Sequence, residues 1–262
     1  MILTLANRKG GTGKTTTTVN LAALWGSQGY RVLVIDLDSQ GHAAIGLGVS
    51  DTPAANATTH YLLTHPTTPL APLWRPTGCE GVSLIPADTR FSGHGQQWPL
   101  SGLRRALEAA DIRAHFDAVI IDTPPTQDGL LISAMSAADG VLVPFLPHHL
   151  GEVGVQQLAR LFYRVATQHN PSLSMLGLLP VMVDRRLQVH RQTVERLSRQ
   201  FGEARMLAGI RNNIKLAEAF AYGLPIHRHA PNSAGARDYR ALAASLKPQQ
   251  AAMSDPRISD PL

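Results

Sequence analysis

The segment Lys9-Gly10-Gly11-Thr12-Gly13-Lys14-Thr15 constrains this 262-residue chain more than any other. An apolar, strand-like run, Ile2–Ala6, leads into it, and a helix-like stretch from Thr15 to about Gln28 follows. Glycines at this junction let backbone N–H groups curl around a phosphate, and the helix N-terminus adds partial positive charge. Lys14 is placed to reach terminal phosphates, and the Thr15 hydroxyl to ligate an accompanying Mg²⁺. The general phosphate-loop pattern G-x4-G-K-[ST] asks for glycine at position 8, where Arg8 stands, and a second lysine, Lys9, opens the loop.

The rest of the chain supplies the matching scaffold. Arg31–Asp36, Gly81–Pro86, Ala118–Asp122, Gly140–Phe145 and Met175–Met182 read as buried parallel strands. Helix-like stretches lie at about Ala54–Leu63, Leu100–Ala114, Gly129–Ala137 and Gly151–His169, then at Gln188–Phe201, Lys215–Tyr222 and Ala234–Leu246. This alternation predicts one α/β domain, a doubly wound, mostly parallel sheet with helices on both faces and ligands at the strand C-termini. Thr64–Gly81, with four prolines, and Phe91–Pro99 read as loops, and Pro248–Leu262 as a disordered tail beyond a domain of residues 1–247.

Composition excludes several classes. Hydrophobic content of 44% against 16% charged residues describes a globular chain. No apolar run reaches the ~18 residues needed to span a bilayer, and the N-terminal run is too short for a secretory signal, so a cytoplasmic protein is expected. The single cysteine, Cys79, allows neither an intrachain disulfide nor an all-cysteine metal site. His148-His149 and the His227/His229 pair lack an accompanying carboxylate or cysteine and read as surface histidines.

Two acidic positions belong with the phosphate loop. Asp36-Leu37-Asp38 closes one strand and Asp122 closes another, where a nucleotide-bound Mg²⁺ needs carboxylates. If the strand continues past Asp36, alternation puts Asp36 and Asp38 on one side. The competing reading of Asp38 and Asp122 is an ordinary Asx turn. No Asn-Lys-x-Asp guanine-reading motif occurs, which favours ATP. Positive charge is concentrated: 12 of the 24 Lys and Arg residues fall between 185 and 247, against 4 of the 19 acidic ones. That segment is either a solvated basic surface or a polyanion-binding face.

Together Lys9–Thr16, Val34–Gly41 and Asp122-Thr123-Pro124-Pro125, with Asn213–Ala219 and Gly223-Leu224-Pro225-Ile226, resemble the deviant Walker motifs of ParA/MinD-type ATPases. The resemblance covers residues 1–246 and is nearest to the small, Soj-like ParA proteins. It implies a SIMIBI-like P-loop NTPase that binds ATP and Mg²⁺ and closes into an ATP-sandwich homodimer. It further implies non-specific DNA binding and slow hydrolysis stimulated by a ParB-like or other adaptor. Such a cycle segregates or positions a plasmid, chromosome or protein organelle, giving a cytoplasmic, nucleoid-associated protein.

By the same resemblance, Lys9 crosses the dimer interface and Lys14 serves its own subunit's phosphates, while Asp38 polarises the attacking water. Gly10, Gly11, Thr12, Gly13, Thr15 and Thr16 cradle phosphate; Thr15, Asp36 and Asp122 serve the metal. Met182, Arg211 and Asn213 fall near the adenine, Arg211 standing where relatives carry proline. Arg185, Arg186, Lys215 and Arg237 fall in the DNA-binding region. Asn232 and Ala234 replace the Arg and Lys of the relatives' Pro-Arg-Ser-Lys-Gly segment. The alternative is a MinD-like, membrane-associated regulator, disfavoured by a proline-containing C-terminus with little apolar face. An electron-transfer ATPase resembling nitrogenase iron protein needs more cysteines than Cys79.

Overall fold

The computed structural model describes residues 1–93, 98–125 and 128–248. In chain order the elements are β1 (Ile2–Leu5), α1 (Lys14–Gly26), β2 (Val32–Asp36), α2 (His42–Gly46), α3 (Thr59–Thr64), β3 (Arg75–Pro76), β4 (Val82–Ile85), α4 (Gly102–Ala109), α5 (Ile112–His115) and β5 (Ala118–Asp122). They continue with α6 (Asp128–Ala137), β6 (Gly140–Phe145), α7 (His149–Gln168), β7 (Ser174–Pro180), α8 (Gln188–Phe201), a 3₁₀ turn at Glu203–Arg205, α9 (Ile214–Ala221), α10 (Ile226–His229) and α11 (Ala234–Ser245).

One seven-stranded sheet runs in the order β3-β4-β2-β5-β1-β6-β7. All neighbours are parallel except the edge pair β3–β4. The central strands carry apolar residues on both faces because helices cover both. Leu33 and Ile35 point into a core shared with α4, α6 and α7, and Val32 and Val34 into one built on α1 and α11. The doubly wound architecture is therefore as expected. The order reverses between β5 and β1, and the phosphate loop leaves β1 at that switch point, where open α/β sheets bind ligands.

Local chemistry explains where elements depart from the sequence expectation. The helix expected at Ala54–Leu63 begins only at Thr59, because Thr58 is extended and its side chain caps Tyr61 N–H. The stretch Leu100–Ala114 breaks in two at Asp111, whose φ of 42° is left-handed. Within the loop expected at Thr64–Gly81, Arg75–Pro76 adds a short antiparallel edge. Part of the Phe91–Pro99 loop and nearly all of the Pro248–Leu262 tail lie outside the described residues. Among those described, no helix is long and apolar enough to cross a membrane.

The end of α1 is packed tightly against the β3–β4 side of the sheet. A Cβ on Gly26 would stand 2.2 Å from the Glu80 carbonyl oxygen and 2.8 Å from Val82. The contact on one side is backbone and cannot rotate away. Gly26→Ala is therefore expected to destabilise the fold by about 1–3 kcal/mol through overpacking, read as a lower urea midpoint at unchanged m-value.

Candidate functional site

The loop between β1 and α1 is shaped by its glycines and by one asparagine. Gly11 and Gly13 have φ of 70° and 72°, the left-handed region where a side chain is strained. Gly13 occupies the N-cap position of α1 without a side-chain cap, leaving the first-turn N–H groups aimed at the loop. Asn7 is fully buried; its amide donates to the Pro144 carbonyl at 2.7 Å and its Oδ1 accepts Lys9 N–H at 3.0 Å. It ties the loop to the end of β6. Sequence reasoning passed over Asn7 because only the β1–β6 pairing brings Pro144 beside it.

The two lysines go to different places. Lys14 is buried, and its ammonium donates to the Lys9 carbonyl at 3.1 Å. Burial lowers its pKa, opposed by Asp122 and Asp38. Lys9 instead lays its stem over Gly154 of α7, with its ammonium on the Leu150 carbonyl. It does not line the cleft that Lys14 lines.

Beneath the loop, parallel register sets Asp36 directly beside Asp122. Both carboxylates are fully buried. Asp36 accepts Asp38 N–H at 2.9 Å and Ala43 N–H at 3.3 Å. Burial first, then the facing Asp122, hold its pKa well above the carboxylate range. Asp122 accepts from the Thr18 hydroxyl at 3.3 Å, while its Oδ2 has no hydrogen-bond partner among the described residues. Burial lifts Asp122 to about 6, and the Thr15 and Thr18 hydroxyls and Lys14 offset only part of this. Asp122 thus caps no turn.

β2 ends at Asp36, so Asp36 and Asp38 do not share a strand face. Asp38 does form an Asx turn, its Oδ1 accepting Gln40 N–H at 3.0 Å, yet it also lines the cleft. The backbone before it is held by His60, which the sequence did not single out. This buried ring reaches the Leu37 carbonyl with Nε2 at 3.2 Å and accepts Asp88 N–H at Nδ1, 3.0 Å. It stacks on Phe91 with centroids 4.0 Å apart. Burial holds its pKa down at about 4, so the ring is neutral and Nε2–H donates to Leu37.

The cleft itself has a volume of about 670 Å³. Gly10–Thr16 and Asp38 line one end, with Gln40, His42 and Pro125 nearby. Val181, Met182, Ile210, Ile214, Leu216 and Phe220 make an apolar wall at the other. Met182 there has a φ of 53°, rare for a side-chain-bearing residue and typical of functional sites. Asn213 caps α9 through Lys215 N–H. Arg211 is clamped by Asp238, with four contacts between 2.7 and 3.1 Å. Tyr239 lies beneath, hydrogen-bonded to Thr17 at 3.2 Å, its pKa pushed up to about 12 by burial.

The positions expected to touch DNA stand outside this cleft. Arg185 and Arg186 lie between β7 and α8, Arg186 paired with Asp184 at 2.8 Å. Lys215 is paired with Glu218 at 2.7 Å, and Arg237 donates to the Asn232 carbonyl.

An unpartnered Asp122 Oδ2 beside Asp36 and Thr15 fits a divalent cation. Among the described residues, no cluster of three or more His, Cys, Asp or Glu side chains forms a cage. Mg²⁺ suits such a sparse donor set, since it retains waters and shares substrate phosphates.

A phosphate loop at a sheet switch point, buried acids at two neighbouring strand ends and an apolar slot define a P-loop nucleoside triphosphatase. The family described as an AAA domain matches residues 1–175. The chromosome-partitioning ATPase Soj of Thermus thermophilus is 39% identical over 93% of this chain and 94% of its own length. The chromosome partitioning protein ParA of Caulobacter vibrioides is 36% identical over 94% and 93%. This chain belongs to the ParA/Soj family of ATPases. Among solved structures, cobyrinic acid a,c-diamide synthase of Mycobacterium smegmatis with bound ADP and magnesium superposes with TM-score 0.76 at 30% identity, over 94% of this chain and 93% of that one. Apo McdA of Cyanothece reaches 0.82 over 94% and 98%, a likeness of fold at 22% identity.

The raised carboxylates give the site a pH signature. An acid whose folded pKa exceeds its unfolded value binds its proton more tightly in the native state. Its stabilising contribution is present below the unfolded pKa and is lost as pH rises through the folded one. For Asp122 that window runs from about 4 to about 6 and is worth about 2–3 kcal/mol. Without Mg²⁺ or nucleotide, Asp122→Asn should gain about that much over wild type between pH 4 and pH 7 in urea titrations.

Proposed function

We propose that this chain hydrolyses ATP with Mg²⁺ in a homodimer that binds DNA without sequence preference, and that a partner-stimulated cycle segregates or positions a cargo. The cleft carries this reading: one cavity joins the Lys14 phosphate loop and Asp38 to an apolar wall suited to a base. The family and the chromosome-partitioning relatives support it.

In this reading the first turn of α1 and Lys14 bind the triphosphate, and Thr15, Asp36 and Asp122 hold Mg²⁺. The metal would neutralise phosphate charge and relieve the repulsion between the two buried acids. Asp38, kept in place by its turn and by His60 on Leu37, orients the attacking water. Lys9 leaves the Leu150 carbonyl and neutralises phosphate charge in a second subunit, an arginine-finger role filled by lysine. Met182 and Asn213 flank the adenine, while Arg211 acts structurally, through Asp238. A ParB-like or other adaptor stimulates turnover, and the working location is the nucleoid within the cytoplasm. No observation favours the membrane-associated alternative, whose terminal segment lies outside the described residues.

Asp38→Ala is expected to lower ATP turnover at least ~100-fold while preserving the ATP-dependent dimer. Lys9→Ala is expected to lose the dimer with its melting temperature unchanged. Turnover assays paired with sedimentation velocity read both; wild-type behaviour of either variant removes that residue from the mechanism.

DNA binding has a separate signature. Retention on duplex DNA of arbitrary sequence should require ATP, and affinity should fall roughly 100-fold between about 50 and 200 mM salt if about four phosphates are contacted. Equal retention without nucleotide would refute the switch.

A further inference from the structure

Three aromatic rings join the end of β2 to α6, and none of the three lines the nucleotide cleft. His60 of α3 holds the Leu37 carbonyl with Nε2 at 3.2 Å and accepts Asp88 N–H at Nδ1, 3.0 Å. Its ring stacks on Phe91 with centroids 4.0 Å apart, and Phe91 meets the Trp98 indole at 5.6 Å. The Trp98 Nε1–H donates to the hydroxyl of Ser133, a fully buried residue of α6, at 3.3 Å. The same indole lies against the first turn of α6, where a Cβ on Gly129 would stand only 3.1 Å from it.

We propose that this stack mechanically links the two segments flanking the phosphate loop, with His60 as the positioning residue that sets the backbone ahead of Asp38 according to where α6 lies. The link rests on the reading of Asp38 as the residue that orients the attacking water. Leu37, fully buried between Asp36 and Asp38, is gripped from both sides: its N–H donates to the Asp122 carbonyl at 2.9 Å and its carbonyl accepts from His60. At the other end, α6 opens on Asp128, which Arg8 of the phosphate loop holds at 3.1 Å. An aliphatic side chain at position 60 would fill the same space but hold neither backbone group. The imidazole commits both nitrogens, one as donor and one as acceptor.

Close packing makes such a link stiff, because rings in van der Waals contact and tied at both ends are not displaced singly. A shift of α6 when nucleotide binds therefore passes through Trp98 and Phe91 to His60, and from there to Leu37. Water orientation depends on the placing of Asp38 to a fraction of an ångström, whereas nucleotide affinity is made by the loop and the first turn of α1. Breaking the link thus lowers turnover and spares binding.

Two variants of the full chain separate linkage from packing. His60→Phe keeps a ring on Phe91 and loses both hydrogen bonds, while His60→Gln retains a donor and an acceptor. His60→Phe should lower ATP turnover at least ~10-fold and change the affinity for fluorescent mant-ADP with Mg²⁺ less than ~2-fold. His60→Gln should recover most of that loss. Ser133→Ala, at the far end, should also lower turnover, and the His60→Phe/Ser133→Ala double variant should lose less than the two separate losses combined. All assays run well below the melting temperature of each variant, read by circular dichroism. A second readout needs no hydrolysis: among the indole N–H resonances of the three tryptophans, the one removed by Trp98→Phe should shift when Mg-ADP binds the wild type and stay in place in His60→Phe. Where His60→Phe does not fold, Ser133→Ala takes its place in both measurements. Equal turnover losses in the Phe and Gln variants, a Trp98 resonance that ignores nucleotide in the wild type, or a shift that persists in His60→Phe overturns the proposal. A wild type without ATP turnover refutes the hydrolysis reading alone, since the indole measurement requires only nucleotide binding.

Discussion

Two carboxylates buried side by side at the ends of adjacent parallel strands set the terms for everything around them. Asp36 and Asp122 are in register, fully enclosed, and one oxygen of Asp122 has no hydrogen-bond partner among the described residues. Burial makes the charged form of each expensive; Asp122 further raises Asp36, and Asp38 further raises Asp122. The fold surrounds them with partial compensation: the Thr18 hydroxyl, the N–H groups of Asp38 and Ala43, and Lys14 above. Holding two buried acids together costs the fold stability, a trade common at functional sites.

The same loop divides its two lysines between two cavities, and that division is structural. Lys14 is enclosed, desolvated and tied to the backbone of its own loop. Lys9 is directed outward because Asn7 fixes its backbone N–H and Gly154 leaves room on α7 for its stem. At Gly154 an added Cβ would stand 3.4 Å from the Lys9 side chain, an ordinary packing distance that marks how closely the stem lies on the helix. One lysine therefore lines the phosphate cleft, and the other lines the cavity beyond the loop.

Much of this was legible in the residues. The glycines, Lys14 and Thr15 announced the strand–loop–helix unit, since few other uses require that order, and the Val- and Ile-rich runs placed the five main strands beyond β1. Asp36 and Asp122 were recognisable from their position at strand ends. Other features depend on contacts across the chain. Nothing near Asn7 names Pro144, nothing near His60 names Leu37 or Asp88, and Arg75–Pro76 becomes a strand only because β4 lies beside it. Alternation suggested a shared face for Asp36 and Asp38, but the strand ends at Asp36, whose side chain turns to accept the following N–H groups.

Charge counted along the chain also differs from charge available in space. Within residues 185–247, Arg186, Arg196, Arg211 and Lys215 are each neutralised by a nearby carboxylate, two of them through bridges to other elements. Arg196 joins α8 to Glu152 of α7, and Arg211 joins the β7–α9 region to Asp238 of α11. These pairs hold helices around the cleft, and a polyanion would have to compete with a carboxylate for each. Arg160 and Arg164 lie in a less basic stretch and form no ion pair among the described residues. Clustering in sequence is thus a poor guide to binding strength here; a cation contributes most where the fold has left it without a carboxylate.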